Sequence, residues 1–173
     1  MLKKSLPAIF AFCCLIASQT GLATNAKNVS MLFVQTAHAG KITQASKNNY
    51  RVVLKDVSPY VTYFSDRPNR ITGVMPLQKF LKVWDKGSDS LSIDHPNVGI
   101  QAILDATEPQ QNNQMITSIL TLSNPRYDAE NKTLTYDAKT LNKNESIPNQ
   151  QLKYVALFID NLPINFGGGG RGF

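Results

Sequence analysis

The sequence predicts a mainly β protein, an antiparallel β-sandwich of about seven or eight strands with one short amphipathic helix over about residues 76–86. Three observations predict this fold class. Several segments alternate apolar and polar side chains with a period of two, as half-buried strands do. Polar turn segments separate them at short intervals. One segment alone has the spacing of a helical face.

Three strands are predicted before the helix. The apolar segment Met31–Thr36 is interpreted as the first strand. In Tyr50–Val57 apolar side chains recur at every second position, and Tyr60–Phe64 is rich in aromatic and β-branched residues, which suit a pleated surface. Because Ser58 and Pro59 lie between these two segments, the segments form either a tight strand–turn–strand unit or one strand broken at Pro59.

The predicted helix has four apolar residues at i, i+3, i+4 and i+7, which share one helical face: Leu77, Phe80, Leu81 and Trp84. Pro76 is compatible with a first helical turn, and Gly87 with the C-terminal end. We expect the helix to pack Phe80 and Trp84 on a sheet.

Four further strands are predicted after the helix: Val98–Leu104, Gln114–Ser123, Thr133–Thr140 and Tyr154–Ile159. Val98–Leu104 is ambiguous between strand and helix, and we favour strand. Tyr154–Ile159 is apolar on both faces, which is typical of a central strand. Polar loops are predicted between these strands: Asp105–Asn113, Asn124–Lys132 and Asn142–Gln151.

The first residues have the three parts of a secretory signal. These parts are the basic Lys3 and Lys4, the apolar run Leu6–Ala17, and the small and polar residues that follow it. Cleavage can follow Ala23 or Ala26; we favour Ala26, which makes residues 1–26 a signal peptide. The apolar run is shorter than the roughly 20 residues that span a bilayer. We therefore expect an exported protein, periplasmic or secreted, with no transmembrane segment after cleavage.

The chain of 173 residues is long enough for one domain of ordinary size. We predict a single domain over residues 27–162 and a flexible Gly-rich tail over residues 163–173. Four consecutive glycines in that tail, Gly167–Gly170, have high backbone entropy and no side chains to pack.

Composition and charge exclude several classes of protein. Charged residues are 17% and hydrophobic residues 42%, which suits neither a disordered chain nor a membrane bundle. The 18 basic residues exceed the 12 acidic ones, but they are spread along the chain, so no nucleic-acid interface is predicted. Cys13 and Cys14 leave with the signal peptide, so the mature chain can form no disulfide and no thiolate site.

A short segment after the third predicted strand contains one carboxylate and two guanidinium groups: Asp66, Arg67 and Arg70. The two guanidinium groups can clamp an anionic ligand. Alternatively, Asp66 caps a turn and Arg67 pairs with a nearby carboxylate. If the domain has a ligand site, we predict it at Asp66, Arg67 and Arg70, facing Asp89 and Asp94.

The segment from Asp85 to Asn97 holds three carboxylates and His95, a composition that suggests metal binding or acid–base chemistry. It lacks the central glycine and terminal glutamate of a calcium loop. The mature chain has only His38 and His95 and no cysteine, which falls short of a zinc motif. We therefore predict no metal site and no cofactor, and interpret the segment as a loop with side-chain to backbone hydrogen bonds.

Catalytic motifs are equally scarce. No serine lies in a G-x-S-x-G sequence and no phosphate-binding glycine loop precedes a helix. His95 beside Asp94 could act as a general base, yet no motif places a nucleophile near it. We predict no catalytic residue, and the alternative is a hydrolase that uses Asp66, Asp94 and His95.

Six short elements resemble an uncharacterised family of exported, mainly bacterial proteins. They are Tyr63-Phe64-Ser65-Asp66-Arg67-Pro68 with Arg70, then Phe80 and Trp84, Pro96-Asn97, Asn124-Pro125-Arg126, Leu134-Thr135-Tyr136-Asp137 and Leu157-Phe158-Ile159-Asp160. The resemblance spans residues 32–160 and implies export and a single compact domain, but no activity. His95 replaces the proline expected before Pro96 in that family, which disfavours a catalytic role for it.

Taken together, these observations predict an exported, non-enzymatic β-sandwich domain that serves as a binding or envelope-associated module. Its partner, a small molecule or a protein, is not identified by any motif. The alternative function is an exported hydrolase.

Overall fold

Eight strands and one short helix make up the residues that the computed structural model describes, which are 29–85, 90–105, 113–142 and 144–164. In chain order they are β1 (Val29–Ser46), β2 (Asn49–Val57), β3 (Tyr60–Ser65), β4 (Thr72–Pro76), α1 (Leu77–Trp84), β5 (Asn97–Leu104), β6 (Met115–Asp128), β7 (Thr133–Thr140) and β8 (Gln150–Ile164). All strand pairs are antiparallel. The predicted mainly β, antiparallel fold class with a single short helix is confirmed for the described residues.

The strands form one sheet whose first strand returns to pair within it. The order is β2-β7-β6-β5-β8-β1-β3-β4, and β2 also pairs with β1. Six strands therefore form a closed ring, and β3 and β4 extend from the other half of β1. The two sides of the ring face each other across one core, as the layers of a sandwich do. A hydrogen bond crosses this core from Tyr136 Oη in β7 to Gln35 Oε1 in β1, at 2.8 Å.

Along the side of β1 opposite β8, the partner changes from β2 to β3. Ala37 pairs with Val57 of β2, and Val34 pairs with Thr62 of β3. Between these pairs Ser58 N donates to Thr36 O at 2.9 Å, which continues the ladder. Of the two sequence-based alternatives for this region, one strand broken at Pro59 is the correct one, and a hairpin between the two segments is not formed.

Several strands differ from their predicted lengths because tertiary pairing extends them. β1 continues to Ser46, where small and polar residues conceal the strand pattern. β6 runs through the predicted turn as far as Asp128, because a bulge between Ser123 and Arg126 absorbs Asn124 and Pro125. The short strand β4 was not predicted, since only one of its residues is buried.

Chain termini fall largely outside the described residues. β8 extends to Ile164, two residues beyond the predicted domain end. The predicted signal peptide and the remainder of the predicted tail, residues 165–173, lie outside them.

The helix α1 follows β4 directly and buries one face in the core. Of the four residues on the predicted apolar face, Leu77, Phe80 and Trp84 are buried and Leu81 is half-buried. The Phe80 ring centroid lies 5.0 Å from that of Phe33 in β1, and the Trp84 ring centroid lies 5.5 Å from that of Tyr136 in β7. These aromatic contacts join the two sides of the ring through the helix.

Candidate functional site

The predicted ligand-binding residues Asp66, Arg67 and Arg70 lie in the exposed turn between β3 and β4. Asp66 Oδ1 accepts a hydrogen bond from Arg67 N at 2.7 Å, so Asp66 stabilises the turn as one sequence-based alternative expected. Ser65 Oγ accepts a second bond from Ile71 N at 2.8 Å. Among the described residues neither arginine forms an ion pair, and the pairing expected for Arg67 is absent there.

The other predicted residues lie in the segment before β5. Asp94 and His95 are both exposed. The Nδ1 atom of His95 lies 3.1 Å from Leu91 O, and the Asp94 backbone N donates to Ser90 O at 3.0 Å. Asp89 lies outside the described residues. Within the described part of the chain, no hydrogen bond or ion pair connects Asp94 or His95 with the turn between β3 and β4.

A different region of the surface is marked by three neighbouring strands in which the pattern of buried side chains is interrupted at the same level. In each of these strands buried and unburied side chains alternate until two successive residues are not buried. Beyond that point the buried side chains belong to the other set of alternate positions. The buried residues on either side of the reversal are Ala37 and Gly40 in β1, Leu54 and Val57 in β2, and Leu152 and Val155 in β8. The reversals lie at one level of the sheet, because their residues are paired with one another.

At this level, His38 lies between Asp56 and Tyr154. His38 lies opposite Asp56 of β2 and opposite Tyr154 of β8. Its two neighbours along β1 pair with the neighbours of Asp56 on one side and with the neighbours of Tyr154 on the other. Both flanking residues have left-handed backbones, with φ of 50° at Asp56 and 51° at Tyr154. This conformation costs about 1–2 kcal/mol for a residue with a Cβ and is unusual for an aromatic one. Such strain in folded proteins is concentrated at functional sites.

Around this row of three residues the surface forms a concavity of about 390 Å³, which we call the bulge hollow. The residues that give it polar and aromatic character are Thr36, His38, Asp56, Ser58 and Tyr154. The Tyr154 side chain is 62% exposed and meets the His38 ring edge-on, with centroids 5.5 Å apart. The bulge hollow therefore presents an aromatic ring with its phenol group, a carboxylate, an imidazole and the Thr36 hydroxyl group, while the Ser58 hydroxyl group donates to Tyr60 O at 2.9 Å.

Sequence reasoning missed the bulge hollow. The first predicted strand ended at Thr36, so His38 lay outside any predicted element. The available signal was the interrupted alternation on both sides of Asp56 and Tyr154, where two residues in succession break the period of two. That signal indicates an irregularity within one strand but not which residues of other strands lie beside it.

No metal-binding cluster of three or more His, Asp or Glu side chains occurs in the described part of the chain. Across the same residues, no helix has the length and apolar character needed to cross a bilayer. Comparison with known proteins found no matching family model, no matching curated protein and no matching solved structure.

Proposed function

We propose that this chain is an exported, non-enzymatic binding module whose ligand site is the bulge hollow. The observation that supports the site is the position of His38 between two strained residues, Asp56 and Tyr154. A fold that keeps an exposed tyrosine in a left-handed conformation accepts a cost in stability, and ligand binding gives a reason for that cost. The proposal of export rests on the predicted signal peptide of residues 1–26.

The groups around the bulge hollow favour a neutral, hydroxylated ring as the ligand, such as a saccharide. The exposed ring of Tyr154 offers a flat apolar face, on which the C–H face of a sugar can stack. The Asp56 carboxylate can accept hydrogen bonds from sugar hydroxyl groups, and His38 and Thr36 can exchange hydrogen bonds with them. The Asp56 carboxylate also lies 3.8 Å from Lys132 Nζ, so its charge is partly balanced without a cationic ligand.

A binding role, unlike catalysis, needs only the exposed groups of the bulge hollow. Nucleophilic catalysis needs a nucleophile hydrogen-bonded to its base, and among the described residues His38 makes no such bond. The same holds for the hydrolase alternative, in which no described hydrogen bond joins His95 to Asp66 or to the Asp94 carboxylate. We therefore propose a binding role.

The test is a titration of the purified protein with chitotetraose, cellotetraose and maltotetraose, followed by saturation-transfer NMR. We expect saturable binding of at least one of them and a loss of about tenfold in affinity, or 1.4 kcal/mol, for Tyr154→Ala. Tyr154→Phe should retain binding, because the stacking face remains. The matched control is Tyr60→Ala, which removes another exposed tyrosine, 55% exposed on β3 and outside the bulge hollow.

Failure of all three oligosaccharides to bind, or an equal loss in Tyr60→Ala, would refute this site. Arg67→Ala and Arg70→Ala in the same titration test the sequence-based ligand site in the turn between β3 and β4. N-terminal sequencing of protein recovered from an exporting bacterial host tests export, and we expect the mature chain to begin at Lys27.

A further inference from the structure

A second concavity of about 390 Å³ lies on the outer face of β2, β7 and β6, which we call the basic hollow. Two rows of cross-strand partners cross it, and each row takes one residue from each of the three strands. The rows are Asn49, Lys139 and Thr121, and Arg51, Asp137 and Ser123. His95, held by its contact with Leu91 O, lies at the rim.

The single carboxylate in these rows, that of Asp137, already accepts hydrogen bonds from neighbouring side chains. Both oxygens of Asp137 accept hydrogen bonds from Arg126, at 2.8 and 3.2 Å, and Oδ2 accepts another from Asn124 Nδ2 at 3.1 Å. The hydrogen bonds from Arg126, followed by that from Asn124, hold the pKa of Asp137 below its ordinary value despite partial burial. Asp137 is therefore an anion whose charge is matched by Arg126.

Asp137 balances only one of the three nearby cations, because both Arg51 and Arg126 pair with it and Lys139 is a third. Arg51 Nε lies 3.8 Å from Asp137 Oδ1, beyond hydrogen-bond distance, and its side chain is 60% exposed. Lys139 is exposed and forms no ion pair among the described residues. Arg51 and Lys139 lie on neighbouring strands in adjacent rows, so one small ligand can contact both.

We propose that the basic hollow binds a phosphate group, as the free dianion or as a monoester, through Arg51 and Lys139. A guanidinium fork and an ammonium group together match the oxygens of a tetrahedral oxyanion. The two positive charges balance a dianion, whereas a single carboxylate would leave one charge unmatched. This site is independent of the proposed function, because it shares no residue with the bulge hollow.

The experiment is a titration of the purified protein with inorganic phosphate and with glycerol 3-phosphate, followed by ¹H–¹⁵N NMR at low ionic strength. Low ionic strength is needed because salt weakens contacts between exposed charges. We expect saturable binding, with Arg51→Gln and Lys139→Gln each weakening it about tenfold. Tighter binding of the monoester would identify an esterified ligand, and equal or tighter binding of phosphate would identify the free ion.

The matched control is Lys82→Gln, which removes the same charge from an exposed position on α1, away from the basic hollow. It should leave phosphate binding unchanged, as should Tyr154→Ala, which separates this proposal from the bulge hollow. A thermal melt of each variant shows that it is folded; should Arg51→Gln unfold, Lys139→Gln decides the outcome. Absence of saturable binding, or an equal loss in Lys82→Gln, would overturn the proposal.

Discussion

One buried polar pair joins the two sides of the ring. Tyr136 and Gln35 are fully buried, and the hydrogen bond between them joins β7 to β1 across the core. Burial is also the main cause of a raised pKa for the Tyr136 phenol, which therefore stays protonated as the donor of this bond. A polar pair of this kind stabilises a core only while both partners are present.

The Tyr136–Gln35 pair gives a first prediction. Tyr136→Phe leaves the Gln35 carboxamide oxygen buried without its donor, and we expect a loss of about 1–3 kcal/mol in the free energy of unfolding. The double variant Tyr136→Phe/Gln35→Leu should cost less than the sum of the single variants, because no unpaired acceptor remains. Urea unfolding followed by fluorescence of Trp84, the only tryptophan in the chain, measures all three. Strict additivity would contradict this prediction.

Asp137 gives a second prediction at the same scale. Since its pKa in the folded state lies below the ordinary value, its stabilising contribution is present above the pKa of the unfolded carboxyl group and is lost as the pH falls through the folded pKa. Asp137→Asn should therefore have a lower Tm than the wild type at neutral pH, and the two should converge as the pH falls below the ordinary carboxyl pKa and through the lower pKa of the folded state.

Thermal melts across this pH range measure the effect. Asp94→Asn is the control, because this exposed carboxylate contacts no cation among the described residues. Its Tm should follow the wild-type curve in parallel. A constant gap between wild type and Asp137→Asn at every pH would show that the Arg126 contact contributes nothing through charge.

At the scale of elements, the helix α1 is stabilised mainly by contacts with the rest of the protein. It has eight residues, begins after Pro76 and has no side-chain hydrogen bond at its N-cap. Helices of this length are marginal in isolation. Leu77 N instead donates to Pro59 O at 2.8 Å, and the aromatic face packs on Phe33 and Tyr136. The helix is therefore stabilised mainly by the burial of its apolar face.

The third prediction concerns a truncation of the apolar face of α1. Phe80→Ala should lower the free energy of unfolding by about 3–5 kcal/mol, because it leaves a cavity between Phe33 and Trp84. Gln78→Ala, an exposed substitution in the same helix, should change it by no more than about 0.5 kcal/mol. Equilibrium unfolding in urea compares the two variants. A loss below about 1 kcal/mol for Phe80→Ala would show that the helix contributes little to the core.

At the scale of the whole molecule, closure of the ring depends on β1, which pairs with β8 on one side and with β2 on the other. Gly40 lies on β1 where both pairings exist. A Cβ at this position would lie 3.0 Å from Val53 O and 3.2 Å from Val155 Cγ2. The backbone oxygen can move away only if β1 and β2 separate.

Closure provides the fourth prediction. Gly40→Ala should destabilise the protein by about 1–3 kcal/mol, because the added methyl group overpacks the position where the ring closes. Gly99→Ala is the matched control, since its Cβ would meet nothing nearer than 3.8 Å, at Phe158 Cβ. We expect that variant to be at least as stable as the wild type. Chemical denaturation tests both, and equal stability of the two variants would argue against a tightly closed ring.

The sequence was sufficient for those properties that depend on neighbours along the chain. A period of two predicted the strands, and the spacing of Phe80 and Trp84 predicted which helical face is buried. The alternative in which Asp66 caps a turn agrees with the hydrogen bond that its carboxylate accepts from Arg67 N, whereas the predicted ligand site at Asp66, Arg67 and Arg70 stays a prediction. Each of these inferences follows from the local geometry of one element.

Only the tertiary structure decided which side chains share a surface. Asp56, His38 and Tyr154 come from three distant segments, and they form one row because the pairing of β1 with β2 and with β8 places them at the same level of the sheet. Arg51 and Lys139 are likewise brought together by the pairing of β2 with β7. Alternation reports which face of its own strand a residue occupies, but register between strands is set by packing of the whole core. The sequence by itself therefore determined the fold class, and the closed sheet determined where a ligand can bind.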